Sequence, residues 1–407
     1  MRIRLFDPAA HPRFDDLPWA TPLEQWVHPR ITDLPVGLHR HVVRFVQYDH
    51  QFYALKELPN RLAEREYRLL RTMNDRGLPV VAAVALVNER GGPDPVLITR
   101  YLHYALPFRL LFRERPDIDV AATLVESIAT LLARLHTAGF YWGDCSLSNA
   151  LFRRDELHLS AYALDTETGE LHDQMTAGQR QTDIDVAIVN VAGGLADLAA
   201  AGELPDSVDP FEVAPQIGTA YADIWEELHG SSTYDPVDPA ALENRLDRLH
   251  DLGLGVSEAV ITDASGSGAF VFRPSAIVGG YHRRELVELT GIVAREHQAH
   301  RLLDDISRFR AELEADADGR LPLREVGHRW LTEWYDPVLT ALPADVAGKL
   351  ERPQLYIEVL DHQALHSGNG DNRQLSLIEA AQQYGKDVLT RRPHERVSGT
   401  STTAEPR

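Results

Sequence analysis

Asp144 and Asn149 stand five positions apart in Trp142-Gly-Asp-Cys-Ser-Leu-Ser-Asn149, and Asp165 follows sixteen positions later, closing Ala161-Tyr-Ala-Leu-Asp165. Phosphoryl transfer from ATP needs these group types: one carboxylate to orient an attacking hydroxyl, and a carboxamide with a second carboxylate to hold the Mg²⁺ that neutralises the phosphates. Asp144 is therefore the candidate catalytic group, and Asn149 and Asp165 are the candidate metal ligands. A tight loop of this length can aim Asp144 and Asn149 into one cleft. Glu167, two positions beyond Asp165, is open between a second acidic ligand and a solvated loop residue.

An ATP site also needs cations for the phosphates. Lys56 closes the strand-like run Tyr53-Ala-Leu-Lys56, a pattern that places an ammonium at the α- and β-phosphates. In the following segment Leu62, Glu66, Leu69, Leu70 and Met73 fall on one helical face. Glu66 thus sits on an apolar stripe, which is costly for a carboxylate unless it is paired. An ion pair with Lys56 removes that cost, whereas Glu64 falls on the opposite face. The turn expected to cover the phosphates, Pro35-Val-Gly37-Leu-His39-Arg40-His41, has a single glycine, so Arg40, His39 or His41 would substitute charge for backbone N–H groups. Adenine would hang from the backbone after Val96–Arg100, near Tyr101 and Leu102.

The elements that must position these groups are legible from periodicity. Residues 41–48 and 51–58 predict an antiparallel hairpin, 60–74 a helix, and 80–87 and 96–100 two further strands. Apolar residues from Val120 to Leu135 predict an amphipathic helix over 119–138, stopped by Gly139 at the C′ position. His136 would cap that helix and pack on the loop. A helix over 183–200 follows, in which Asp183 or Asp185 either holds the Asp144 loop through backbone N–H groups or serves as an N-cap. Further helices are expected at 211–229, 238–252, 281–290, 294–315, 321–333, 353–366 and 372–389, with one hairpin at 256–263 and 269–273. The expected organisation is a sheet lobe over 1–100, a helical lobe over 101–230, a mostly helical domain over 231–390 and a disordered tail over 391–407.

Composition narrows the class of partner. A net charge of −20 repels polyphosphate backbones and disfavours nucleic acid. The same field opposes ATP unless Mg²⁺ and local cations invert it. The single cysteine, Cys145, allows no intrachain disulfide and is expected to be a small buried thiol, which fits a reducing cytoplasm. No apolar run approaches 18 residues, and the N-terminus lacks the apolar core of a signal peptide, so neither a membrane span nor secretion is expected. His394-Glu395 lacks the second histidine of a zinc protease, and no Gly-x-Ser-x-Gly is present.

On Ala54-Leu-Lys56, Glu66, Leu135-His-x-x-Gly139, Gly143-Asp144-x4-Asn149 and Leu164-Asp165, residues 40–220 resemble the protein-kinase-like superfamily, in particular its lipopolysaccharide (Kdo) kinase and aminoglycoside-phosphotransferase-like branch. The resemblance implies an α+β, two-lobed fold and ATP- and Mg-dependent transfer to a hydroxyl of a small-molecule or glycolipid-type acceptor. A catalytically weak regulator that recruits a protein partner, or AMP transfer by the same residues, are the other activities it allows. The chain departs from the family pattern in three places. Trp142 replaces the usual His or Arg, Asp165-Thr-Glu replaces Asp-Phe-Gly, and no Ala-Pro-Glu follows. His282-Arg-Arg-x-Leu-x-x-Leu-Thr-Gly291 and Glu296-x-Gln-Ala-x-Arg-Leu-Leu-x-Asp305-Ile resemble a domain of unknown function fused to such segments in actinobacterial proteins. In that half Arg283, Arg284 and Arg301 could hold an anionic acceptor or simply face solvent.

Overall fold

The computed structural model describes all residues except 35–40, 50, 115–119, 156–157, 235–239, 252–254, 264–269, 279–280, 316–320, 368–374 and 392–407. Arg40, Gly37 and His39 of the expected phosphate turn, His394, and the expected tail beyond Arg391 lie outside the described residues. The chain divides into two compact units, Met1–Arg153 with Ser160–Ala220, and Tyr221–His394 with Arg154–Leu159.

In the first unit, strands β1 (Arg2–Leu5), β2 (Ile31–Thr32), β3 (Val43–Tyr48), β4 (Gln51–Glu57), helix α1 (Asn60–Asp75), β5 (Ala83–Asn88) and β6 (Val96–Arg100) come first. The strands form one antiparallel sheet in the order β1-β5-β6-β4-β3-β2. β-Branched and aromatic residues at alternate positions drive this pairing. Val46, Tyr53, Leu55, Val84 and Ile98 are buried on one face.

That face is covered by the N-terminal lead-in, which the sequence marks only as proline-rich and irregular. Phe14, Leu17, Trp19, Leu23 and Trp26 pack against it as one cluster. The Trp19 and Trp26 indoles meet edge to face at 5.0 Å, and their N–H groups donate to the Phe14 and Thr21 carbonyls. Arg90, also buried, pairs with Glu57 and donates to the Thr21 carbonyl at 2.9 Å, tying lead-in to sheet.

The helical part of this unit follows: β7 (Ala105–Leu106), α2 (Phe108–Glu114), α3 (Val120–Thr137), β8 (Phe140–Tyr141), β9 (Ala150–Asp155), β10 (His158–Ala163), β11 (Glu170–Leu171), α4 (Ala177–Ala200), α5 (Pro210–Val213) and the first residues of α6 (Gln216–His229), whose remainder from Tyr221 belongs to the second unit. α3 is the central helix. Leu124, Ile128, Leu131, Leu132 and Leu135 are at most 1% exposed, each worth roughly 1.5–3 kcal/mol of burial. α4 begins two turns before the expected residue 183, because Thr176 and Gln179 form a reciprocal capping box. The added turns are polar and exposed, so hydrophobic periodicity does not mark them. An antiparallel sheet lobe joined to a helical lobe is the kinase-like, α+β arrangement expected from the sequence.

The second unit contains β12 (Ser232–Tyr234), α7 (Ala240–Asp251), β13 (Gly255–Asp263), β14 (Phe270–Val278), α8 (Tyr281–Thr290), α9 (Glu296–Ala315), α10 (Leu323–Trp330), α11 (Asp336–Thr340), α12 (Arg352–Ser367) and α13 (Leu377–Asp387). β13 and β14 are the expected hairpin, with β12 added to its edge. The helices enclose an apolar core around Leu302, Ile306, Trp330, Tyr356 and Leu360. Asp305 is buried in that core and accepts hydrogen bonds from Trp330 Nε1 and Tyr356 Oη, each at 2.8 Å. Arg283 and Arg284 are exposed, while Arg301 is committed to Asp361 at 2.7 Å. No helix among the described residues is long and apolar enough to cross a membrane.

Candidate active site

Strand alternation aims Lys56. Tyr53 and Leu55 face the lead-in, so Ala54 and Lys56 point to the other side of β4, into a cavity of about 570 Å³. Val43, Phe45, Leu97 and Thr99 line it from the sheet, and Leu147, Ala150 and Leu164 from the helical lobe. Tyr101 and Leu102 form part of its wall. The Tyr101 N–H is already donated to the Phe52 carbonyl at 2.9 Å, whereas no described residue takes up the Leu102 N–H or C=O.

At the charged end of the cavity, Lys56 Nζ lies 2.7 Å from Asp165 Oδ2, 3.2 and 3.4 Å from the two Glu66 oxygens, and 3.9 Å from Glu167 Oε2. Glu66 is 1% exposed on the inner face of α1, beside Ala63, Tyr67, Leu70 and Met73. Burial pushes its carboxyl up to about 7, against the pull of Lys56. Burial alone would lower the Lys56 ammonium, but Glu66, Asp165 and Glu167 outweigh it and leave the group raised. Glu64 turns away and binds Arg4 and Asn88.

The loop bearing Asp144 is built from the end of α3. Gly139 has φ +80°, and a Cβ there would strike the His172 carbonyl, so glycine is required for the exit. Asn149 Nδ2 donates to the Asp144 carbonyl at 3.0 Å and to Asp144 Oδ2 at 3.1 Å, which leaves Asn149 Oδ1 uncommitted. Asn190 Nδ2 donates to Asp144 Oδ1 at 3.3 Å and to the Cys145 carbonyl at 3.1 Å. Both Asp144 oxygens are thus steered by neutral amides, and no described cation pairs with them. Cys145 is fully buried, and burial raises its thiol well above the ordinary range.

Asp183 anchors the loop from below. Wholly buried in α4, it accepts the N–H of Trp142 at 2.7 Å and of Gly143 at 2.8 Å, and lies 3.1 Å from His136 Nε2. Of the two roles open for it in the sequence, holding the loop is the one realised. Asp185 is exposed and takes a hydrogen bond from Gln181. Trp142 stands where the family pattern has a basic residue, and its indole donates to the Asp165 carbonyl at 2.7 Å. The Asp144 loop and the Asp165 segment are thereby joined.

Asn190 escapes sequence reasoning, although a signal exists. Asp183, Ala187, Asn190 and Gly194 share one helical stripe with spacing four, three and four, and Gly194 admits the close approach of Leu147. Glu167 is not a solvated loop residue. Its side chain is 12% exposed and lies 3.2 Å from His41 Nε2. Ligand oxygens of Glu66, Asp165 and Glu167 all lie within 4.8 Å of one another.

Two family models match separate parts of the chain. Residues 41–186 match the sequence model of the lipopolysaccharide kinase (Kdo/WaaP) family. Residues 223–389 match that of a domain of unknown function, DUF4032. No curated protein matches the chain. Among solved structures, one described as WaaP in complex with acyl carrier protein aligns at 18% identity over 62% of this chain and 99% of its own, with a TM-score of 0.36.

Proposed function

We propose that the first unit is an ATP- and Mg-dependent phosphotransferase acting on a hydroxyl of a small-molecule or glycolipid-type acceptor. The observation that carries this reading is the convergence of Lys56, Glu66 and Asp165 on one end of a largely apolar cavity, within a segment that matches a lipopolysaccharide kinase family model. The apolar walls suit adenine, with Leu102 offering backbone hydrogen bonds. Lys56, held by Glu66, suits the α- and β-phosphates. Arg40 is proposed to assist from the preceding turn.

Asn149 Oδ1 and the Asp165 carboxylate fit a hard divalent cation, since both are oxygen donors and the amide nitrogen of Asn149 is already committed to Asp144. When bound, Mg²⁺ neutralises charge on the β- and γ-phosphates. Asp144 orients the acceptor hydroxyl and takes its proton as the hydroxyl oxygen bonds to the γ-phosphorus. The bond from that phosphorus to the bridging oxygen breaks, and ADP leaves with the electron pair. Asn149 and Asn190 fix the orientation of the Asp144 carboxylate through amide hydrogen bonds.

The test uses ATP labelled at the γ-phosphate with pools of sugars, glycolipids and aminoglycosides. Transfer of label by wild type and its loss in Asp144→Asn supports the reading. Transfer of an AMP moiety, read by product mass, would replace it with nucleotidyl transfer. Absence of ATP binding would refute both.

A further inference from the structure

The sequence pattern Asp165-Thr-Glu167 puts a carboxylate where the family pattern has glycine. Three carboxylates, Glu66, Asp165 and Glu167, gather around a single ammonium, Lys56. Three negative charges against one positive leave a formal excess of two, and the groups are largely withdrawn from solvent. Side-chain exposures are 1, 23 and 12% for the carboxylates and 16% for Lys56. Uncompensated charge of that size is costly away from water.

The described protein groups leave this charge incompletely answered. Glu167 Oε2 and His41 Nε2 are 3.2 Å apart, yet both atoms are buried and neither makes a hydrogen bond of acceptable geometry. Glu66 is taken up by Lys56 through both oxygens. Glu167 Oε2 is therefore buried without a hydrogen bond, with His41 and Lys56 near it at 3.2 and 3.9 Å, and the Glu167 carboxylate lies beside that of Asp165.

The geometry points to Glu167 as a third protein ligand, beside Asp165 and Asn149, for the divalent cation of the phosphotransferase site, with Glu66 left to hold Lys56. This assignment rests on the proposed phosphotransferase reading. It gives the chain two carboxylates where the Asp-Phe-Gly pattern supplies one, and a hard divalent cation matches the formal excess of two. A metal held by more protein charge is held more tightly, and depends less on the nucleotide.

The test is Mn²⁺ binding to the full chain, read by the loss of the free-ion electron paramagnetic resonance signal, with and without a non-hydrolysable ATP analogue. Wild type, Glu167→Gln, Glu167→Asp, Asp165→Asn and the control Glu170→Gln, which is exposed in the same segment, are compared after thermal melting confirms folding. Glu167→Gln should weaken Mn²⁺ binding by roughly tenfold to a hundredfold, at least as much as loss of a group outside the ligand shell. Glu167→Asp, which keeps the charge, should recover part of the loss, and Glu170→Gln should bind as wild type. If Asp165→Asn loses the metal while Glu167→Gln holds it as wild type does, the Glu167 assignment is overturned and the metal site stands. If wild type binds no Mn²⁺ even with the nucleotide analogue, the metal site fails, and Glu167 with it.

Discussion

Glu66→Gln tests whether the buried carboxylate is as costly as its surroundings require. Burial raises the Glu66 carboxyl from an ordinary 4.5 to about 7 in the folded protein. A raised carboxyl means that folding binds the proton more tightly than the unfolded chain does. Stability associated with Glu66 is therefore complete at low pH and is lost as pH climbs from 4.5 through 7. Each unit corresponds to 1.36 kcal/mol, so between pH 5 and pH 8 the wild type should lose about 2–3 kcal/mol that the uncharged glutamine variant keeps. Lys56 remains protonated across this window, because its surroundings raise it from an already high value. Urea unfolding in EDTA, at the two pH values, measures the difference. The variant should be close to wild type at pH 5 and gain on it at pH 8. An equal offset at both pH values, or a gain at pH 5 instead, would refute the reasoning.

Three further outcomes follow from the loop geometry. Asp183→Ala leaves the buried Trp142 and Gly143 N–H groups without their acceptor, at roughly 1–3 kcal/mol each. Chemical denaturation should show a loss of several kcal/mol, and a loss under 1 kcal/mol would contradict the anchoring role. Trp142→Phe removes the bond to the Asp165 carbonyl and part of the volume of a fully buried indole, costing on the order of 2 kcal/mol or more of stability, and turnover in a phosphate-transfer assay should fall while thermal melting still shows a folded protein. Cys145 should resist thiol reagents in the native protein, because it is wholly buried and its thiol is pushed up, and should react at once in urea; rapid native labelling would show the loop to be open.

The sheet, the central helix α3 and most helices of the second unit were legible because their hydrophobic periods are long and their ends carry glycine or capping residues. The Lys56–Glu66 pair was legible for an energetic reason, since a carboxylate on an apolar stripe demands a partner. What stayed hidden depends on contacts distant in sequence. The lead-in has no period, and its order comes from Trp19, Trp26 and Phe14 inserting against a sheet not yet formed. The first two turns of α4 are polar on all sides, and only the Thr176–Gln179 box announces them. Asn190 lies forty-six residues from Asp144, and its meaning appears only when Asp183 has fixed the register of α4. Glu167 could be read as ligand or loop until its burial beside His41 and Lys56 was known.

The central claim is that Lys56, Asn149 and Asp165 bind a nucleotide through its metal and phosphates. Calorimetric titration of ATP with and without Mg²⁺, on wild type and Asp165→Ala, tests it most directly. The account predicts binding that Mg²⁺ strengthens in wild type and that loses its Mg²⁺ dependence in Asp165→Ala. Equal ATP affinity with and without Mg²⁺ in wild type, unchanged by Asp165→Ala, would contradict it.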